Sequence, residues 1–154
     1  MCNSKSSGEN CISEILCVIN ILQRNASPES SMDSCDRPTL GSGSSCLVCN
    51  TRPVMIYTCC GNGVPFSMPV CKDLTTSCSN PEGVNRDAEC SSVFRVEKIE
   101  DNCATFRVLK PNTAECNEKD KVKMPFIGTN SFFSFDLSCA CAIRCLSDTH
   151  VDCI

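Results

Sequence analysis

The pattern of apolar and polar positions changes along the chain, and its first regular stretch is helical. Over residues 11–25 the apolar residues recur three and four positions apart, the spacing of one face of an α-helix. Asn10 is a suitable N-cap, and Pro28 prevents the helix from continuing. The stripe expected to face inward consists of Ile12, Ile15, Leu16, Ile19 and Leu22, with Val18 at its margin.

The opposite side of this helix is expected to carry Cys17 and Ile21, which are neighbours because they lie four residues apart. An isolated exposed isoleucine needs no explanation. The chain has 17 cysteines, an odd number, so at least one thiol has no partner within the chain. An exposed isoleucine beside an outward cysteine therefore favours a contact between subunits. A disulfide from Cys17 to the linker of its own chain and a free thiol are the alternatives.

A later stretch, VFRVEKIEDNCATFRVL, switches to a period of two and predicts a β-hairpin. We expect a three-residue turn over residues 100–102, with Asn102 in the left-handed conformation. On the outer face, this register brings Arg95 opposite Arg107, an unfavourable pair that the diagonal Glu97 offsets. The inner face is expected to pair Phe94 with Val108 and Val96 with Phe106, with Ala104 beside them.

The remaining strand signals lie on either side of this hairpin. RPVMIYTCC is rich in β-forming residues and is followed by the turn signal GNG, whereas Pro65 and Pro69 make the next run an edge strand or an irregular segment. In the last block, FDLSCACAIRCL, alternation places Cys139 and Cys141 on the apolar face. Same-face residues two apart lie about 6.5–7 Å apart, at the limit for a disulfide, so these cysteines should bond to other segments.

These elements predict a mainly β fold, an antiparallel β-sandwich-like domain with one N-terminal amphipathic helix. The predicted organisation is a tail and helix over residues 1–26, a Ser/Gly/Pro-rich linker over 27–46, and a β-rich, cysteine-rich domain over 47–154.

Composition excludes several classes of function. The net charge of −4 and the small number of aromatic residues (one Tyr, no Trp) argue against a nucleic-acid partner. No stretch approaches the roughly 20 apolar residues of a membrane span, and no secretion signal is expected. A cysteine-dense protein made in the cytoplasm either binds metal or is oxidised later, because cytoplasmic thiols normally stay reduced.

The cysteine motifs are weak signals for metal or catalysis. Cys46 and Cys49 form a CxxC half-site for zinc, but a second half-site at comparable spacing is missing. A redox CxxC requires a helix start, which NTRP does not provide, and His150 is the single candidate base for a cysteine nucleophile. We therefore expect neither an enzyme nor a cofactor, and a zinc-binding cysteine-rich protein is the alternative.

The number of cysteines favours bonds between chains. Native disulfides contribute about 2–4 kcal/mol each, so eight would far exceed the stability that one domain needs, and an odd cysteine has no partner within the chain. The candidates for disulfides or cross-links are Cys2, Cys11, Cys17, Cys35, Cys46, Cys49, Cys103, Cys139, Cys141, Cys145 and Cys153. The candidate contacts between subunits in a lattice are Cys17 and Ile21.

Three blocks resemble one known family. NTRPVMIYT with the later GVPF, SSVFRVEKIEDNCATFRVL, and FDLSCACAIRCL are similar to the cysteine-rich spore coat and exosporium proteins of endospore-forming bacteria, namely spore coat proteins Y and Z and exosporium protein ExsY. Members of that family carry an aromatic residue where this chain has Ala140, and residues 59–90 are divergent, so no pairing is transferred there.

The resemblance implies a structural protein that self-assembles into a disulfide-cross-linked two-dimensional lattice around the spore. Hexameric rings of the chain itself, and other coat or exosporium proteins, are the partners that it implies. It also implies synthesis in the mother-cell cytoplasm without a signal peptide, followed by oxidation after assembly.

Overall fold

The computed structural model describes residues 10–26, 49–75, 77–78, 89–112, 124–152 and 154. The predicted linker and the candidates Cys2, Cys35, Cys46 and Cys153 lie outside these residues. Within these ranges a single α-helix precedes the strands, which confirms the mainly β class. The elements are α1 (Cys11–Asn25), β1 (Val54–Thr58), β2 (Met68–Pro69), β3 (Cys90–Ser91), β4 (Val93–Glu100), β5 (Cys103–Pro111), β6 (Phe126–Asp136) and β7 (Ala140–Cys145).

Five strands form one antiparallel sheet in the order β6-β5-β4-β1-β7, and β2 pairs with β3 in a separate two-stranded sheet. The outer strands β6 and β7 are joined by a three-residue 3-10 turn, Leu137–Cys139. Such a turn advances about 6 Å, whereas five flat strands would separate the two edges by about 19 Å. The sheet therefore curls until its edges approach each other at this corner.

One face of the sheet is covered by α1, which packs mainly against β4, and by the segment around β2. The second layer of the expected sandwich is thus a helix and a short two-stranded sheet. Five phenylalanines fill the space between the layers, and the ring of Phe106 stacks on that of Phe133 with centroids 5.4 Å apart. The aromatic cluster consists of Phe66, Phe94, Phe106, Phe133 and Phe135.

Helix α1 begins and ends as predicted, with the Asn10 side chain accepting a hydrogen bond from the backbone N–H of Ile12. Its buried face contains Ile12, Leu16 and Ile19, together with the polar residues Asn20 and Gln23. The prediction was wrong for Ile15 and Leu22, which are 42% and 40% exposed.

The helix is rotated toward Gln23 because this side chain has two backbone partners. Its amide nitrogen donates to the Val96 carbonyl (2.8 Å), and its amide oxygen accepts from the backbone N–H of Arg52 (3.1 Å). Gln23 thereby ties the helix to β4 and to the residues before β1. A hydrophobic pattern has no means of indicating such a contact, since it counts glutamine as polar surface.

Replacing Gln23 with alanine is expected to destabilise the reduced protein by about 1–3 kcal/mol, because a buried carbonyl and a backbone N–H lose their partner. The exposed neighbour Arg24 provides the matched control, and Arg24→Ala should change stability by less than about 0.5 kcal/mol. Denaturant unfolding measures both variants. Equal stabilities would show that Gln23 does not fix the helix.

The hairpin register of the inner face is confirmed. Phe94 pairs with Val108 and Val96 pairs with Phe106, and all four side chains are fully buried. The turn is shorter than predicted, because a bulge at Glu97 shifts the register by one residue before the strands reach it. A two-residue turn results, in which Asp101, and not Asn102, has the positive φ of 52°.

The outer face of the hairpin carries the predicted charge compensation. Arg95 lies opposite Arg107, and the two carboxylate oxygens of Glu97 each accept a hydrogen bond from one of these guanidinium groups at 2.7 Å. Arg107 also lies over the ring of Phe132, 4.5 Å from its centroid. The bulge therefore displaces the turn but leaves Glu97 between the two arginines, as predicted.

The last strand does not persist as expected. The 3-10 turn interrupts it, and in a 3-10 turn residues three apart lie on the same side, so Leu137 and Ala140 are both buried. Cys139 and Cys141, predicted to point into the apolar face, are exposed instead.

Asp136 caps the 3-10 turn through its carboxylate. Hydrogen bonds from the hydroxyl and the backbone N–H of Ser138, at 2.7 and 2.9 Å, hold the pKa of Asp136 below its usual value. The cap therefore stabilises the turn at neutral pH and is lost when the pH falls through this lowered pKa.

Candidate functional site

The cysteines are the chemically distinctive groups of this protein, and most of those described lie at its surface. Among the described residues, seven cysteines are free, and all seven are exposed: Cys11, Cys49, Cys60, Cys71, Cys103, Cys139 and Cys145. Five others are disulfide-bonded: Cys17, Cys59, Cys78, Cys90 and Cys141.

One group of free thiols gathers near the start of β7. The side chain of Asn10 donates to the carbonyl of Leu137 at 2.8 Å, and the backbone N–H of Leu137 donates to the carbonyl of Asn102 at 2.9 Å. These bonds join the start of α1, the hairpin tip and the 3-10 turn. The cysteines that belong to these three segments therefore lie at one corner of the molecule: Cys11, Cys103 and Cys139.

A second pair of free thiols lies toward the other end of β7. Cys145 is the last residue of this strand and pairs with Val54. Cys49 precedes Asn50, whose backbone N–H donates to the carbonyl of Thr149 at 3.1 Å. Cys139 and Cys145 are six positions apart along this extended segment, which corresponds to about 20 Å. The exposed thiols therefore face different neighbours in space.

Two disulfides join segments that the sequence did not pair. Cys59 bonds Cys141 across 82 residues, with Cα atoms 5.0 Å apart, and Cys78 bonds Cys90 with Cα atoms 6.0 Å apart. The expectation that Cys139 and Cys141 bond to other segments is confirmed for Cys141 and wrong for Cys139, which is free. The sequence-based candidates did not include the described cysteines of the divergent region, which are Cys59, Cys60, Cys71, Cys78 and Cys90. The adjacent pair Cys59 and Cys60, at the end of a β-rich run, was a visible signal.

The two candidate lattice contacts on α1 differ in their surroundings. Ile21 is 50% exposed, as expected for an outward residue. Cys17 is half-buried, packs against the hydrophobic core and is disulfide-bonded. These observations favour the alternative of a bond within the chain over a contact between subunits for Cys17.

The described residues contain no group of three or more His, Cys, Asp or Glu side chains placed to hold a metal ion. Only one cysteine of the candidate CxxC half-site is described, because Cys46 lies outside the described ranges. The other, Cys49, is exposed. His150 contacts the carboxylate of Asp152 at 3.0 Å. Within the same ranges, no helix is long and apolar enough to cross a membrane.

Comparison with known proteins identifies a family. The family model described as Spore coat protein Z matches residues 1–148, which is almost the whole chain. No curated protein and no solved structure gives a significant match.

Proposed function

This chain belongs to the spore coat protein Z family, and we propose that its subunits form a disulfide-cross-linked two-dimensional lattice in the outer shell of the spore. Its role in the spore coat is structural, and in our proposal it is not an enzyme. By analogy with the family, the subunits first form hexameric rings, with other coat or exosporium proteins as further partners. The chain is made in the mother cell and oxidised after assembly.

The distribution of free thiols is the observation that supports a lattice best. A subunit with reactive thiols at a single point forms covalent dimers, whereas a sheet needs bonds in several directions. The exposed cysteines at the two ends of β7, and Cys71 after β2, supply such directions. Because all of them are exposed, they are able to reach a neighbouring subunit without local unfolding.

The outer face of α1 supports an earlier, non-covalent contact. Among the described residues, seven large hydrophobic side chains are exposed, and four of these lie on this one helix: Ile15, Val18, Ile21 and Leu22, at 40–57% exposure. A helix that is apolar on the side facing the core and again on the outer side is typical of one that is covered on both.

The partner that fits this outer face best is the same helix of a second copy. Glu14 lies in the first turn of α1 and Arg24 in the last, and both are exposed. In an antiparallel helix pair with two-fold symmetry, Ile15 lies opposite Leu22 of the other copy, and Glu14 approaches Arg24. Four partly exposed aliphatic side chains present on the order of 300 Å², well below the ~800 Å² per partner of a stable interface. The contact is therefore weak by itself and depends on repetition in the lattice.

Ile21→Asp is expected to weaken assembly before any cross-link forms, because it places a charge in an apolar contact. We expect the protein concentration needed for ordered arrays, measured under reducing conditions by sedimentation and electron microscopy, to rise at least about tenfold, equivalent to about 1.4 kcal/mol.

The matched control is Ile154→Asp, which alters an isoleucine of similar exposure (42%) outside α1. It should assemble like the parent. If Ile21→Asp assembles at the parental concentration, the outer face of α1 is ordinary surface. If the parent itself forms no array, the lattice proposal is wrong.

A further inference from the structure

Two short cysteine motifs meet where β1 ends and β7 begins. Thr58 pairs with Ala140, and beyond this pair the backbone N–H of Cys59 donates to the carbonyl of Cys139 at 3.3 Å. Cys59 therefore lies next to Cys139, although its disulfide runs to Cys141. This hydrogen bond brings the backbones of Cys59 and Cys139 into contact, and the side chains of both residues are exposed. Cys59 thus has two partners within reach.

This disulfide is also the most accessible of those described. Both of its cysteines are exposed, whereas the bonded Cys17, Cys78 and Cys90 are half-buried. A shallow groove open to solvent leads to it, lined by Tyr57, Thr58, Asn62, Gly63 and Ala142 beside the two sulfur atoms. Each bonded cysteine has a free, exposed thiol close to it in sequence: Cys60 follows Cys59, and Cys139 lies two residues before Cys141.

We propose that the Cys59–Cys141 disulfide is a thiol–disulfide exchange site that transfers its bond to a second copy of the chain. An exposed thiolate of the second copy attacks one of the two sulfur atoms, the bond between Cys59 and Cys141 breaks, and a disulfide between the two copies forms. The other cysteine leaves as a thiolate and attacks the same site in the next copy. One S–S bond breaks for each that forms, so cross-links spread without net oxidation.

The same step has an internal version, because Cys139 lies next to Cys59. The Cys139 thiolate attacks the sulfur of Cys59, a Cys59–Cys139 bond forms, and Cys141 is released as a thiolate on β7, at the edge of the sheet. The site therefore presents a reactive thiolate whether attack begins within the chain or from a neighbour. This inference rests on the proposed cross-linking of subunits. It adds that the disulfides between subunits form by thiol–disulfide exchange and not by oxidation alone.

The test uses the full chain purified with its internal disulfides intact, mixed as equal parts of ¹⁴N- and ¹⁵N-labelled protein, and incubated without oxygen or added oxidant. We expect covalent oligomers while the total number of free thiols per chain, counted after denaturation, stays constant. Peptide mapping without reduction should find Cys59 or Cys141 in peptide pairs of mixed isotope, which arise from bonds between chains. Alkylating the free thiols beforehand should abolish these oligomers.

The variant Cys59→Ser with Cys141→Ser should lower the yield of anaerobic oligomers at least about tenfold and still cross-link in air. The matched control, Cys78→Ser with Cys90→Ser, should stay within about twofold of the parent. If the parent cross-links in air but not anaerobically, or if Cys59 and Cys141 never occur in mixed-isotope pairs, the exchange site is refuted while the lattice proposal stands. If it cross-links under neither condition, both are wrong.

Discussion

Phe106→Ala is expected to lower the free energy of unfolding of the reduced protein by about 3–5 kcal/mol, because it leaves a cavity that the surrounding core does not fill. Phe106 is fully buried in the middle of β5 and contacts the rings of Phe94 and Phe133. Denaturant unfolding in the presence of reductant measures the effect without the contribution of the disulfides.

Phe132→Ala provides the matched control. It removes the same kind of side chain from the neighbouring strand β6, where Phe132 is 48% exposed. It loses a contact with Arg107 worth about 0.5–1 kcal/mol at an exposed site, so the loss of stability should stay near 1 kcal/mol. A loss below about 1 kcal/mol for Phe106→Ala would contradict the position of Phe106 in the core.

Assembled protein is expected to remain as covalent multimers after boiling in detergent and to fall to monomers when reductant is added. The reason is that detergent and heat remove the apolar contacts of α1 but leave S–S bonds intact. Gel electrophoresis with and without reductant measures the change. Triple replacement of Cys11, Cys103 and Cys139 by serine should lower the number of subunits in the covalent multimers, because one corner of the subunit then lacks its free thiols.

Ordered arrays viewed by electron microscopy should survive mild reduction, since the contact proposed for α1 contains no sulfur–sulfur bond. This separates the two stages of assembly: shape and apolar contact determine order, and disulfides determine resistance. Boiled, unreduced assemblies that migrate as monomers would show that the lattice is not covalent.

The sequence by itself determined the features that depend on local periodicity. Alternation with a period of two specified the inner face of the hairpin, because slipping by one residue would expose Phe94, Val96 and Phe106 together. The helical spacing and the cap at Asn10 specified the bounds of α1. The excess of cysteines pointed to cross-linking, and the sequence blocks pointed to the spore coat family that the family model confirms.

Tertiary structure decided where these local patterns are displaced. Gln23 rotates α1 by pairing with backbone groups far along the chain, and Glu97 is bulged where it bridges two arginines. The 3-10 turn at Leu137–Cys139 turns the last cysteines outward, and Cys59 meets Cys141 across 82 residues. For Gln23 and Cys59 the deciding partner is distant in sequence, so the balance between a local preference and a specific contact exists only once the chain has folded.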